Sequence, residues 1–167
     1  MKKALLVIDM QNICVGEEHA AYFKYDNEAL IKAVNDVIAS YECNRVVYIK
    51  NVMKKSIISK LAPFQAYEGT KEVELVVGLN VVSEYIFTKY EGNAFSNPML
   101  GDFLKEQNIE CVEVVGVDGG GCVSLTSLGA LKEGYKVIVN ESAIGTMFEK
   151  KKEKYFKKLR YVGVKFI

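Results

Sequence analysis

Three residues stand where apolar runs end, the positions at which open α/β sheets gather their chemistry: Asp9, Lys89 and Cys122. Asp9 closes the run Ala4-Leu5-Leu6-Val7-Ile8. A carboxylate there is expected to lose water, which raises its pKa and suits it to accept a proton when a cation is near. The alternative is an aspartate that caps a turn. Lys89 follows Tyr85-Ile86-Phe87-Thr88. An ammonium beside a cleft holds a neighbouring acid ionised and lowers the pKa of a thiol, whereas an ordinary solvated lysine does neither. Cys122 follows Gly119-Gly120-Gly121 and opens an apolar stretch. A thiol in the first turn of a helix meets the positive end of the dipole and free N–H groups, which favour thiolate and suit an oxyanion. Cysteine is also among the most buried residue types, so an inert core thiol is the other reading. The glycines do not follow Gly-x-Gly-x-x-Gly and no Gly-Lys-Ser/Thr comes after them, which argues against a nucleotide cradle.

The elements that must position these residues are legible as apolar runs. Ala4 to Asp9, Arg45 to Lys50, Cys111 to Gly116 and Tyr135 to Asn140 lack polar alternation and read as strands covered on both faces, with Tyr85 to Thr88 and Tyr161 to Phe166 as weaker candidates. Leu30, Val34, Val37 and Ile38 recur at helical spacing between Asp26 and Tyr41, with Asp26 or Asn27 as the cap. Asn97-Pro98 opens a second helix with Met99, Leu100, Phe103 and Leu104 facing inward. Further helices are expected over Cys122 to Lys132 and Phe148 to Leu159. Strand and helix in alternation imply right-handed crossovers and a doubly wound α/β fold in three layers, one domain over residues 1–167.

Composition narrows the function classes. The chain has 167 residues with 22 Lys+Arg against 21 Asp+Glu, a net charge of +1 that argues against a nucleic-acid partner. The basic run Lys150-Lys151-Lys152 with Lys154, Lys157 and Lys158 reads as the solvated face of a helix whose apolar side holds Phe148, Tyr155 and Phe156. No segment reaches the ~20 apolar residues that span a bilayer, and the short run after Met1-Lys2-Lys3 does not make a signal peptide, so no membrane partner and a cytoplasmic location are expected. Cys14, Cys43, Cys111 and Cys122 form no Cys-x-x-Cys pair, which argues for free thiols over a zinc ribbon or a redox motif.

Taken together, LLVIDMQN with Asp9, TKYEGNAF with Lys89, and VVGVDGGGCVSLTSLGALKEGYKVIV with Cys122 resemble the isochorismatase-like cysteine hydrolases. The similarity runs over nearly the whole chain, with Glu74-Leu75 and Gly134-Tyr135 included. It implies an α/β/α sandwich on a six-stranded, mainly parallel sheet and an Asp9-Lys89-Cys122 triad at its carboxyl edge. It further implies hydrolysis of small amides and related C–N bonds, a cis peptide at Val117–Asp118, an oxyanion held by the N–H groups of Asp118 and Cys122, and a homo-oligomer.

The chain departs from the family pattern in two places. Where members commonly carry Ala-Thr-Asp it has Asp118-Gly119-Gly120-Gly121, which removes bracing side chains and adds a carboxylate near the thiol. Nicotinamidases of the family hold a metal through an Asp and His cluster after the second strand, but Tyr48 to Lys55 contains no histidine, and His19, the only one in the chain, reads as an exposed loop residue. No metal, no cofactor and no nicotinamidase activity are therefore expected. Cys122 also argues against the vinyl-ether reaction of true isochorismatases, which carry another residue there. The expectation is a metal-free cysteine hydrolase of a small amide or carbamoyl substrate, with polar contacts from Gln11 and Asn12 and apolar walls from Phe95 and the Met53 to Tyr67 stretch. A silent member that binds a metabolite or protein is the alternative, and a thiol sensor pairing Cys122 with Cys14 is a third reading.

Overall fold

A computed structural model describes residues 1–55 and 65–167. Its sheet has six strands, β1 (Lys3–Ile8), β2 (Val46–Asn51), β3 (Ile86–Lys89), β4 (Cys111–Val117), β5 (Lys136–Gly145) and β6 (Lys165–Phe166), in the order β3-β2-β1-β4-β5-β6. Every pairing is parallel. The order reverses between β1 and β4, so the crevice for ligands is expected beyond their carboxyl ends.

The strands lack alternation because each face meets its own apolar layer. On one face Leu6, Ile8, Ile49 and Val114 pack under helices α3 (Pro98–Glu106), α4 (Cys122–Lys132) and α5 (Glu149–Tyr161). On the other, Leu5, Val7, Tyr48 and Val115 meet Leu30, Val34 and Ile38 of α2 (Asn27–Ile38). This is the expected three-layer sandwich. Among the described residues, no helix is long and apolar enough to cross a membrane.

Helix starts follow local chemistry. Asp26 accepts the Ala29 N–H and Asn97 accepts the Met99 N–H, each relieving one free donor of a first turn. Some expected details differ. Met99 is exposed, because the inward face of α3 runs through Leu100 and Leu104, with Phe103 half-buried against Tyr85 and Phe87. The inward face of α5 is Phe156 and Leu159, while Phe148 precedes the helix and is exposed. That helix continues to Tyr161, so β6 holds only Lys165 and Phe166. A one-turn helix, α1 (Asn12–Val15), was not foreseen.

Deep in β4 lies Glu113. Its carboxylate accepts bonds from Lys3 Nζ (3.0 Å), Tyr41 Oη (2.8 Å) and Asn140 Nδ2 (3.1 Å), which join β1, β4, β5 and the turn that follows α2. Burial alone would raise its pKa, but these donors hold it below the usual carboxylate range. The folded protein therefore binds this proton less readily than the unfolded chain. The stabilisation is full above the unfolded pKa near ~4.3 and is lost as pH falls through the lower folded value. Glu113→Gln should cost about 1–3 kcal/mol at pH 7, and urea unfolding of both proteins should show that difference shrinking below about pH 4.

Candidate active site

The site begins with two residues in left-handed backbone. Asp9 follows β1 with φ of 51°, a conformation unusual for a side-chain-bearing residue. Its N–H donates to Ile49 O at 3.0 Å. Opposite Ile8, Gly116 of β4 has φ of 105°, and a Cβ there would come within 2.1 Å of Ile8 O. Only glycine allows the two backbones to lie so close. Lys89, in register with Asn51, ends β3 two strands away from Asp9.

These placements converge on one cation. Lys89 Nζ donates to Asp9 Oδ2 at 2.9 Å and to Cys122 Sγ at 3.2 Å, and its side chain is wholly buried. The structure thus brings together the three residues expected from the strand ends. Asp9 Oδ1 has no partner among the described residues. Burial raises the Asp9 pKa, with Lys89 pulling against it. Burial acts to lower that of Lys89, but the negative charges of Asp9 and Cys122 carry it above its usual value. The Cys122 thiol is pushed up to about 12, by burial first and the Asp9 charge second, with Lys89 opposing. Burial and the Asp9 charge thus act against the pull toward thiolate expected from the helix start and from Lys89.

The glycine turn has a structural reason for each residue. A Cβ at Gly120 would lie 3.0 Å from the backbone nitrogen of Lys152, because the start of α5 rests on the turn. At Gly119 it would meet Thr146 Oγ1 at 2.7 Å, and at Gly121 the Asp118 carboxylate at 2.8 Å. The Asp118 Oδ1 atom accepts the Gly120 and Met147 N–H groups at 3.1 and 3.0 Å. Asp118 is thus engaged with backbone and not turned on the thiol as an unpaired charge. Ser124 Oγ donates to Gly119 O at 2.6 Å and fastens the turn to α4. The Val117–Asp118 peptide is cis, as the resemblance implied. The N–H groups of Asp118 and Cys122 meet no acceptor among the described residues, while those of Gly119, Gly120, Gly121 and Val123 are all used.

The remaining expected site residues lie elsewhere. Gln11 is fully buried with its amide spent on Asn51 and on Val73 O, so it braces strand ends and has no free group for a substrate. Asn12 donates to Lys71 O and lines a cavity of about 510 Å³ with Ile13, Asn27, Glu28 and Val76, none of them in the triad. The Phe95 ring packs on Tyr135 and is half-buried against the core. A second cavity, of about 500 Å³, lies at the ends of β2 and β3 between Met53, Lys54, Lys55 and Tyr90. Much of the Met53 to Tyr67 stretch, residues 56–64, lies outside the described residues. Cys14 is buried, and His19 is half-buried with Nδ1 near Ala20 O, so it is less exposed than expected. The hydroxyls of Ser124, Thr126 and Ser127 were overlooked, although three buried hydroxyl residues in an apolar helix were a visible signal.

A family model for the isochorismatase domain matches residues 3–167. The chain belongs to the isochorismatase family. Among solved structures it is similar to an isochorismatase-like hydrolase from Alkaliphilus metalliredigens, at 26% identity and a TM-score of 0.81, over 100% of this chain and 94% of that one. It shares its fold with a pyrazinamidase of Pyrococcus horikoshii solved in complex with zinc (22% identity, TM-score 0.85, 100% of this chain and 99% of that). It also shares it with an N-carbamoylsarcosine amidase from Thermoplasma acidophilum (23%, 0.82, 99% and 95%). A comparison with curated protein sequences finds no match. The described residues of this isochorismatase-family chain offer no zinc site. No three His, Cys, Asp or Glu side chains converge among them, and β2 ends at Asn51 and runs on into Val52-Met53.

Opposed influences on one thiol are separable by mutation. Since Asp9 raises the Cys122 pKa and Lys89 lowers it, Asp9→Asn should speed iodoacetamide labelling of Cys122 at pH 8 and Lys89→Ala should slow it, each by roughly tenfold or more. In the wild type, labelling should still be rising above pH 9. Peptide mass spectrometry at each pH reads all three.

Proposed function

We propose that the protein hydrolyses a small amide or carbamoyl C–N bond through a thioester on Cys122. The observation that carries this reading is the buried Lys89 ammonium in contact with both the Asp9 carboxylate and the Cys122 sulfur. An ammonium so placed keeps Asp9 ionised and ready for a proton, and it supports negative charge on sulfur as that proton leaves. The family, and the amidases that share the fold, support the same class of chemistry.

The thiol proton passes to Asp9 while sulfur bonds to the substrate carbonyl carbon. The oxygen becomes an anion facing the N–H groups of Asp118 and Cys122, the two donors the turn leaves unengaged. Collapse breaks the C–N bond as Asp9 returns its proton to the departing nitrogen. Water then attacks the thioester, Asp9 takes a proton from it, the C–S bond breaks, and the proton goes back to sulfur. The products are an acid and ammonia or an amine. No metal step is required, because the charge that develops has its own partners in Lys89 and the turn. We further propose that residues 1–167 form one domain, that it acts in the cytoplasm, and that it assembles into a homo-oligomer.

The test is ammonia release across small amides and carbamoyl compounds, with trapping of the acylated peptide by mass spectrometry. Cys122→Ala, Asp9→Ala and Lys89→Ala should each lose about 10³-fold or more in kcat/KM. Activity retained in all three would refute the mechanism. Compounds that raise the melting temperature without yielding product would instead identify a silent binding protein.

A further inference from the structure

We infer that Thr126 is a positioning residue that sets the Lys89–Cys122 contact by tying the loop after β3 to the helix that carries the nucleophile. This rests on the triad reading above. Cys122 and Thr126 are four residues apart on α4 and so share a face one turn from each other. Thr126 is wholly buried, and its Oγ1 accepts the Ala94 N–H at 3.0 Å and lies 3.5 Å from Gly92 O. From Ala94 the path continues through its carbonyl, which accepts the Asn97 N–H at 3.1 Å, to Asn97 Nδ2, which donates to Thr88 O at 2.8 Å. Thr88 precedes Lys89. A ring of bonds thus leaves the backbone beside Lys89, crosses to α4 through one hydroxyl, runs one turn to Cys122, and closes at the 3.2 Å contact from Lys89 Nζ to sulfur.

The packing around that hydroxyl fits the same purpose. A Cβ at Gly92 would come within 2.5 Å of Leu125, and one at Gly129 within 2.3 Å of Asn93 Oδ1. The loop lies on α4 with no room to slide, and Thr126 is the only side chain of the helix seen to hydrogen-bond to it among the described residues. A threonine that only filled space would need no partner in the loop. One that bonded its own helix would reach back to the preceding turn, as Ser127 does toward Val123 O.

The experiment reads the pH dependence of iodoacetamide labelling at Cys122. It is done in an Asp9→Asn background, where the carboxylate charge that holds the thiol high is gone. Lys89→Ala in that background fixes the full effect of losing the ammonium. Thr126→Val, which keeps shape but loses both bonds, should move the midpoint upward by about one pH unit, a tenfold loss of thiolate at fixed pH. Thr126→Ser, which keeps the hydroxyl, should leave it in place. Gly129→Ala displaces Asn93 with Thr126 intact and should also raise the midpoint, which provides a second measure if Thr126→Val fails to fold. A lowered melting temperature with an unmoved midpoint in Thr126→Val would overturn the proposal and leave Thr126 a packing residue. If Lys89→Ala itself moves nothing, the triad reading fails, and the role of Thr126 with it.

Discussion

An ammonium with no access to water is the constraint around which this protein is organised. Burying the Lys89 charge alone would be strongly unfavourable, and the carboxylate of Asp9 offsets that cost only because it arrives at 2.9 Å with correct geometry. That requirement reaches back into the sheet. β1 must end in a left-handed turn at Asp9, β4 must offer a glycine where it passes Ile8, and β3 must end in register with β2 at Asn51. The pair contributes little net stability of this kind, since apolar side chains of similar volume commonly serve a core as well or better. Its value lies in presenting a fixed charge to a sulfur atom.

The nucleophile turn solves a different problem. Where the family commonly uses side chains to hold this turn, the chain uses close backbone contact: α5 lies on Gly120, Thr146 on Gly119, and the Asp118 carboxylate gathers two N–H groups. The flexibility that three glycines would have in isolation is removed by what covers them. The extra carboxylate, alarming in a linear reading, becomes part of the brace.

Much of this was legible beforehand. Strand and helix order, the all-covered sheet and the three converging residues followed from apolar runs and their ends, because burial on both faces leaves a plain mark on composition. Gln11 and Met99 were less legible. The Gln11 side chain takes its direction from partners distant in sequence, Asn51 and Val73, and Met99 is turned outward by the course of α3 over Leu100 and Leu104. The upward pull on the thiol was not legible for a similar reason: proximity to a helix end is local, whereas burial and the Asp9 charge arise only on folding.

The rest of α5 on Gly120 has a consequence for how this protein can change. Phe156 and Leu159 anchor α5 in the core, so the backbone of Lys151 and Lys152 forms a ceiling over the turn. Any lineage or designer wishing to restore a side chain at position 120 must first raise that ceiling, some thirty residues away. The two segments are locked as one heritable unit, since the backbone path of α5 cannot shift without uncovering the turn.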